Sequence, residues 1–213
     1  MPDPKESEHI VEVVKKLGLK YVVITSVTRD DLDDGGASHF ATVVKALRYF
    51  DSHIGIEVLI PDFHGSFSAL KTILDSAPSV LNHNVETVSR LYPEVRQQAD
   101  YYRSIELLAR VKELDHTLLT KSGLMLGLGE EKNEVLQVMD DLREAGCDFL
   151  TIGQYLQPSL DHYPVTRYVT PAEFSEYEMI AEMKGFKRVA SAPLVRSSFR
   201  AAEMFEGGRK LRV

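Results

Sequence analysis

The stretch "IVEVVKKLGLKYVVITSV", residues 10–27, shows the pattern that predicts the fold. Its first half spaces apolar residues as one face of a helix does, and its second half, "YVVITSV", is a nearly continuous β-branched run of strand length. The alternation recurs along the chain, with further strand-like runs that begin near Ile54, Val80, Leu118 and Asp148. Strands that are apolar throughout and separated by amphipathic helices indicate a parallel sheet covered by helices. We therefore predict an α/β protein with about five parallel strands.

The length and charge of the chain limit its possible functions. With 213 residues, of which 44% are hydrophobic, it can build one sizeable core, so we predict a single domain over residues 1–213. Its 25 basic and 32 acidic residues give a net charge of -7, which argues against a nucleic acid or an anionic membrane as partner. No apolar run approaches the roughly 20 residues that cross a bilayer. The N-terminal "MPDPKESEHI" is unlike a signal peptide, and we expect a cytoplasmic protein.

Cysteine is nearly absent from the sequence. The single residue, Cys147, excludes a disulfide framework and cannot by itself build a zinc or iron–sulfur site. The acidic stretch "RDDLDDGG", residues 29–36, departs from a calcium-binding loop at two ligand positions, which hold Leu32 and Ala41. A solvated turn that caps the next helix is the more ordinary interpretation of this stretch.

Two architectures fit the alternation of strands and helices: an open doubly wound sheet, and all or part of a (β/α) barrel. Both place ligands at the carboxyl ends of their strands. Polar segments follow the predicted strands at those ends, namely "TSVTRDDLDDGG", "NHNVET", "GLGEEKNE" and "GQYLQPS". We therefore expect a ligand site on that rim.

The segment "NHNVET" carries the most distinctive polar pattern on the predicted rim. By the two-residue period of a strand, Asn82, Asn84 and Glu86 lie on one face and His83 lies on the other, where we interpret it as a packed histidine. Two amides and a carboxylate suit a sugar diol, because the carboxylate accepts both hydroxyl protons while the amides supply donors and acceptors. The alternative is an ordinary polar turn that caps a helix.

The order and spacing of five segments resemble those of the lipoyl synthase family: "YVVITSVTRDDLDDGGASHF", "NHNVETVSRLYPEVR", "KSGLMLGLGE", "LTIGQYLQPSLDHYPVTRYVTPAEF" and "PLVRSSF". The resemblance covers nearly the whole chain, from Pro2 to Phe205. Lipoyl synthases are radical S-adenosylmethionine enzymes that insert two sulfur atoms into C6 and C8 of a protein-bound octanoyl chain to form the lipoyl cofactor. "NHNVET" and "GLGE" also resemble biotin synthase, whereas "GQYLQPS" and "RSSF" favour the lipoyl enzyme.

The resemblance implies a more definite fold. It predicts a partial (β/α) TIM-like barrel of the radical SAM type with its first strand missing. About residues 186–213 would form a C-terminal extension across the barrel mouth. The polar rim residues would converge on one face of the sheet: Thr25, Asn84, Glu86, Gly123 and Gln154.

The resemblance also implies roles for residues that bind S-adenosylmethionine. Asn84 and Glu86 would contact the ribose, and Gly123 lies where the backbone would pass close to the adenine. Arg103 would hold the methionine carboxylate, a role that suits a forked guanidinium, although a solvated helix arginine is the alternative. Thr25 ends the strand that would receive the methionine amino group.

The family uses two four-iron, four-sulfur clusters. By resemblance Ser198 would be a ligand of the auxiliary cluster, with Ser197 as the alternative and Phe199 in place of the family's tyrosine. The family's two cysteine triads, C-x4-C-x5-C and C-x3-C-x2-C, are absent from this sequence. We therefore interpret the chain as an N-terminally truncated lipoyl synthase that is inactive on its own.

The partners implied by the resemblance are octanoylated carrier domains and an electron donor. The carriers would be the glycine cleavage H protein and the lipoyl domains of the E2 subunits of 2-oxoacid dehydrogenases, and the donor a ferredoxin or flavodoxin. The alternative is a noncatalytic fragment that keeps nucleoside or carrier-protein binding.

Overall fold

A computed structural model describes residues 3–210, with side chains described as far as Gly208. The described chain forms two compact units, the first ending at Asn82 and the second beginning at His83. In both units strands and helices alternate along the chain, as the apolar pattern predicts.

The first unit contains three parallel strands in chain order. They are β1 (Tyr21–Thr25), β2 (Gly55–Leu59) and β3 (Val80–Asn82), and each pairs with the next. Its helices are α1 (Glu6–Leu17), α2 (Ala37–Phe50) and α3 (Phe67–Leu74), with a short 3-10 turn at Phe63–Gly65.

Local sequence explains where the helices of the first unit end and what they bury. Helix α1 stops at Gly18, which adopts a left-handed φ of 62° and donates its N–H back to the last turn. Helix α2 buries one apolar face, with Val44 and Leu47 fully inaccessible, and Ile56 and Val58 of β2 are equally buried. The core of this unit therefore contains the apolar residues that produce the periodicity.

The second unit also has three parallel strands, β4 (Leu119–Leu126), β5 (Phe149–Gln154) and β6 (Arg188–Ser191). Its helices are α4 (Tyr92–Val95), α5 (Tyr101–Leu114), α6 (Lys132–Glu144), α7 (Pro171–Met183) and α8 (Ala201–Lys210), with a 3-10 turn at Ser89–Leu91. Helix α7 begins at Pro171, as predicted, behind a capping box in which the side chains of Thr170 and Glu173 each bond the other's backbone N–H.

One strand was not predicted from the sequence. Residues 188–191, which fall within the predicted C-terminal extension, pair in parallel with β5 as β6. The segment that follows does lie against the carboxyl end of β5, because the N–H of Gln154 donates to the carbonyl of Pro193 at 3.2 Å. That the extension crosses a barrel mouth, and that the chain forms one domain, stay predictions.

Over the described part of the chain, every helix is too short or too polar to span a bilayer.

Candidate functional site

The candidate site of the second unit lies where the segment His83–Glu86 runs beside β4. The N–H of His83 donates to the carbonyl of Lys121 at 3.0 Å, and the N–H of Glu86 donates to the carbonyl of Gly123 at 2.9 Å. The N–H of Met125 returns a bond to the carbonyl of Glu86 at 2.8 Å. We call His83–Glu86 the rim segment. Its ladder to β4 brings Asn84 and Glu86 beside Gly123.

The side chains of Asn84 and Glu86 form a pair. The Nδ2 of Asn84 donates to the Oε1 of Glu86 at 3.1 Å, and both residues are half-buried. Burial raises the pKa of the Glu86 carboxyl, against the opposing effects of the Asn84 hydrogen bond and the Arg96 charge. Among the described residues, the Glu86 carboxylate therefore receives few hydrogen bonds from the protein.

The Oδ1 of Asn84 is the second acceptor of the pair. It is buried and has no hydrogen-bond partner within the described residues. An amide oxygen in that state costs free energy unless a donor reaches it, so such an atom calls for an explanation. A bound hydroxyl group would supply the missing donor.

Gly123 of β4 lies directly against this pair. A Cβ at that position would lie 2.7 Å from Asn84 Oδ1 and 3.0 Å from the Oγ1 of Thr151 on β5. Both distances are shorter than ordinary carbon–oxygen contacts, so a side chain at this position would displace the Asn84 amide and press on Thr151. The structure thus brings together three of the predicted site residues, Asn84, Glu86 and Gly123.

Glu86 has an unusual backbone conformation, with a positive φ of 65°. The left-handed region costs a residue with a side chain roughly 1–3 kcal/mol, and such strain is concentrated at ligand sites. A polar turn was the alternative interpretation of this segment. An ordinary turn requires neither a strained backbone at a glutamate nor a buried amide oxygen without a hydrogen-bond donor.

Two neighbours of the pair have structural roles. The Nδ2 of Asn82 donates to Glu57 at 2.9 Å in the first unit, whereas its Oδ1 is buried without a hydrogen-bond partner among the described residues. His83 is buried, and its Nε2 lies 3.0 Å from the Oγ of Ser104. This confirms its interpretation as a packed histidine.

Gln154 is also used internally. Its Nε2 donates to the carbonyls of Tyr155 and Arg167, both at 3.0 Å, and its Oε1 accepts the N–H of Val169 at 2.9 Å. These three bonds fix both ends of the loop between β5 and α7. The Gln154 side chain therefore holds the two ends of that loop together.

The remaining predicted residues are Thr25 and Arg103. Thr25 ends β1 in the first unit, where it is exposed and lines a cavity of about 280 Å³ with Ser26 and Arg29. Arg103 is half-buried in the first turn of α5, and its N–H donates to the Asp100 side chain at 2.9 Å as the helix cap. The predicted roles of Thr25 and Arg103 in ligand binding stay predictions.

The residues present do not fit an iron–sulfur cluster on their own. Cys147 is fully buried, its thiol donates to the carbonyl of Phe149 at 3.3 Å, and burial raises its pKa to about 12. Ser198 is exposed and Ser197 half-buried in the turn before α8. Among the residues with described side chains, no group of three or more His, Cys, Asp or Glu could hold a metal ion.

The sequence analysis missed three residues next to the pair: Tyr92, Arg96 and Thr151. Tyr92 and Arg96 follow the rim segment in "SRLYPEVR", where an aromatic and a basic residue four apart lie on one helical face. That spacing was the available signal, but it does not show which backbone groups the two side chains reach.

Comparison with known proteins assigns the family. A model of the radical SAM superfamily matches residues 1–142. Lipoyl synthase of Alkaliphilus metalliredigens is 55% identical over 204 residues, which cover 96% of this chain and 70% of the relative. Lipoyl synthase of Aquifex aeolicus is 57% identical over 201 residues, which cover 94% of this chain and 73% of the relative.

Solved structures share the fold at low sequence identity. Streptococcus suis SuiB bound to S-adenosylmethionine superimposes with a TM-score of 0.67 and 13% identity, over 89% of this chain and 44% of SuiB. SuiB bound to its precursor peptide SuiA gives the same TM-score and identity over 99% of this chain and 45% of that chain. Methylornithine synthase (PylB) gives a TM-score of 0.60 at 12% identity, over 92% of this chain and 64% of that chain.

These likenesses confirm the predicted fold class, an α/β partial barrel of the radical SAM type. The identity of more than half the residues, over nearly the whole chain, extends the match from the fold to the family. The chain therefore belongs to the radical SAM superfamily and, within it, to the lipoyl synthase family of sulfur-inserting enzymes.

Proposed function

We propose that this chain supplies the S-adenosylmethionine-binding part of a lipoyl synthase, which inserts two sulfur atoms into C6 and C8 of a protein-bound octanoyl chain. The observation that carries the proposal is the pairing of Glu86 with Asn84, whose buried Oδ1 lacks a donor among the described residues, beside Gly123. S-adenosylmethionine supplies the radical chemistry of the reaction when bound.

The residues of the pair suit the ribose of that ligand. The Glu86 carboxylate would accept protons from the ribose hydroxyls, and Asn84 Oδ1 would accept a further donor. The backbone of β4 at Gly123 would lie against the adenine, as the family resemblance implies. Thr25 would contact the methionine amino group and Arg103 its carboxylate.

The two four-iron clusters of the family need ligands beyond those in this sequence. Thiolates are the usual ligands of such clusters, and the 213 residues contain one cysteine, which is buried. Ser198 would contribute a single oxygen ligand to the auxiliary cluster, with Ser197 as the alternative. By itself this chain would bind the nucleoside without completing either cluster.

The octanoyl substrate would arrive on a carrier protein. We propose the glycine cleavage H protein and the E2 lipoyl domains as carriers, a ferredoxin or flavodoxin as the reductant, and the cytoplasm as the location. SuiB, which shares the fold, has been solved with a precursor peptide, so a related barrel accommodates a peptide substrate.

A noncatalytic binding fragment is the second candidate. The observation that favours it is the single thiol, which is buried and held protonated well above neutral pH. This candidate keeps the same nucleoside site and differs in predicting no sulfur insertion under any reconstitution of the chain.

Ligand-observed NMR with S-adenosylmethionine tests the proposed site, since it detects weak binding in the absence of clusters. We expect Glu86→Ala to weaken binding about 10- to 100-fold, because hydrogen bonds to a charged group contribute about 1.5–3 kcal/mol each. Glu113→Ala, at an exposed position of α5, is the matched control and should bind as the wild type does. Equal binding by both variants would contradict the proposal.

A further inference from the structure

We infer that Tyr92 and Arg96 are positioning residues that hold Asn84 and Glu86 in their ligand-binding arrangement. This inference rests on the proposed function, since it concerns the same ribose-binding pair. Neither side chain is proposed to contact the ligand. Each acts through the backbone of the rim segment or through the charge it brings near Glu86.

Tyr92 fixes the peptide group between the two ligand residues. Its hydroxyl donates to the carbonyl of Val85 at 2.6 Å, and the residue is only 5% exposed. Val85 is fully buried, and its N–H donates to the Oγ of Ser122 at 3.2 Å. Both polar groups of Val85 are therefore held, which restricts the chain on either side of it.

Arg96 supports the same arrangement from the end of α4. Its Nη1 donates to the Tyr92 hydroxyl oxygen at 3.1 Å and lies 3.5 Å from the carbonyl of Asn84. Its guanidinium carbon stands 5.3 Å from the centre of the Tyr92 ring, within the range of a cation–π contact. One arginine therefore orients the tyrosine and approaches the backbone of Asn84.

The tyrosine is itself supported by the helices. The Tyr101 ring meets Tyr92 edge-on, with centroids 5.5 Å apart, and the Tyr101 hydroxyl donates to Asp141 of α6 at 2.5 Å. A continuous series of contacts thus joins α6 and α5 to the rim segment. The positive φ of Glu86 is held by this support, since strained backbone persists only where its surroundings fix it.

Arg96 also acts on the charge of Glu86. The groups that face this carboxyl are Asn84, which is neutral, Tyr92 and Arg96. Burial raises the Glu86 pKa, whereas the Arg96 charge lowers it. Removing that charge would raise the pKa further. The ionised carboxylate, which accepts the hydroxyl protons, would then form only at higher pH.

The experiment compares S-adenosylmethionine binding by four variants between pH 5.5 and 8, with ligand-observed NMR as the readout. We expect Tyr92→Phe to weaken binding about 3- to 10-fold, because it removes only the hydroxyl that fixes Val85. Arg96→Gln should weaken binding and move the pH midpoint of binding upward, and Arg96→Lys should restore the midpoint. Tyr102→Phe, at a residue 73% exposed in the same helix turn as Tyr101, is the control.

The outcomes separate this inference from the proposed function. If Glu86→Ala binds as the wild type does, the proposed function fails. If Glu86→Ala is impaired while Tyr92→Phe and Arg96→Gln match the wild type in affinity and pH midpoint, the positioning role is overturned.

A second measurement decides the case in which the wild type binds too weakly to titrate. Carbon-13 NMR of the Glu86 carboxyl should give a higher titration midpoint in Arg96→Gln than in the wild type. In Arg96→Lys the midpoint should equal that of the wild type. An unchanged midpoint in a folded Arg96→Gln variant would overturn the inference without any ligand.

Discussion

Two carboxylates of the second unit, Asp148 and Glu86, differ in how completely the protein satisfies them. Asp148 precedes β5 at its amino end, where the ammonium groups of Lys112 and Lys187 each lie 2.6 Å from it and the N–H of Thr120 donates at 2.9 Å. Glu86 accepts one side-chain hydrogen bond, from Asn84. The first carboxylate is neutralised by the fold, and the second retains acceptor capacity for a ligand.

The pKa directions follow this difference. Burial opposes ionisation of Asp148, but the hydrogen bonds from Lys112 and Lys187 outweigh burial and lower its pKa. At Glu86 burial outweighs the opposing contacts and raises the pKa. The pKa values of two acidic residues of one unit are therefore displaced in opposite directions.

The largest expected effect is the loss of stability in Asp148→Asn. The substitution leaves two lysine ammonium groups without their counter-charge, and breaking such a buried ion pair costs about 3–5 kcal/mol. Urea denaturation should show that loss in the free energy of unfolding. Glu144→Gln, on the exposed end of α6, is the control and should change stability by less than about 0.5 kcal/mol. A loss of stability in Asp148→Asn as small as that in the control would contradict the structural role of Asp148.

The pH dependence of stability should differ between the two carboxylates. The pKa of Asp148 is lower in the folded state, so its stabilisation is present above the unfolded value of about 3.9 and is lost as pH falls through the folded pKa. The pKa of Glu86 is raised, so its contribution declines as pH rises through the folded pKa. The free energy of unfolding of Glu86→Gln should therefore rise relative to that of the wild type as pH rises. The destabilisation of Asp148→Asn relative to the wild type should disappear near pH 3. Parallel pH curves for both variants would contradict the assignment.

A smaller and more local effect is expected for Gly123→Ala. The added methyl would meet Asn84 Oδ1 and Thr151 Oγ1, so the pair must shift, at a cost of about 1–3 kcal/mol. Binding of S-adenosylmethionine should fall by about tenfold or more, measured by ligand-observed NMR. The double variant with Thr151→Ala removes the second oxygen, and it should recover little because Asn84 remains. Unchanged affinity in Gly123→Ala would show that the space beside β4 is not the ligand site.

The smallest expected effect concerns iron. After anaerobic reconstitution with iron and sulfide, the chain should hold well below one cluster per protein, since it offers one buried thiol and an exposed serine. Ser198→Ala should leave that iron content unchanged. Iron and sulfide analysis showing full loading of the wild-type chain would contradict this expectation.

Much of the fold follows from sequence pattern, and the exception has a physical cause. Five strands contain or adjoin apolar runs, and the position of these runs between amphipathic helices is sufficient to predict them. Strand β6 reads "RVAS", with an exposed Arg188 at its start and one buried residue, so it has little of the apolar signal that marks a strand. Its pairing with β5 depends on the tertiary structure and leaves little trace in local composition.

The juxtaposition of Asn84 and Glu86 was predictable from the two-residue period of a strand, whereas their binding of a diol stays a prediction. The strain at Glu86 was not predictable, because a positive φ at a glutamate has no composition signal. The link from Tyr92 to Val85 was equally hidden, since it joins a side chain to a backbone carbonyl seven residues earlier. Sequence reports which groups are present, whereas the contacts that orient them arise from the fold.

Because Cys147 is buried, its rate of labelling by a thiol reagent reports local opening of the protein. A thiol reagent cannot reach a sulfur that is fully inaccessible, and a thiol with a pKa near 12 presents almost no thiolate at neutral pH even to a small reagent. Labelling therefore requires that the start of β5 first separate from its neighbours. When reclosing outpaces the reagent, the labelling rate measures the equilibrium population of that open form. The lone cysteine thus gives a site-specific measure of local unfolding without any engineered probe.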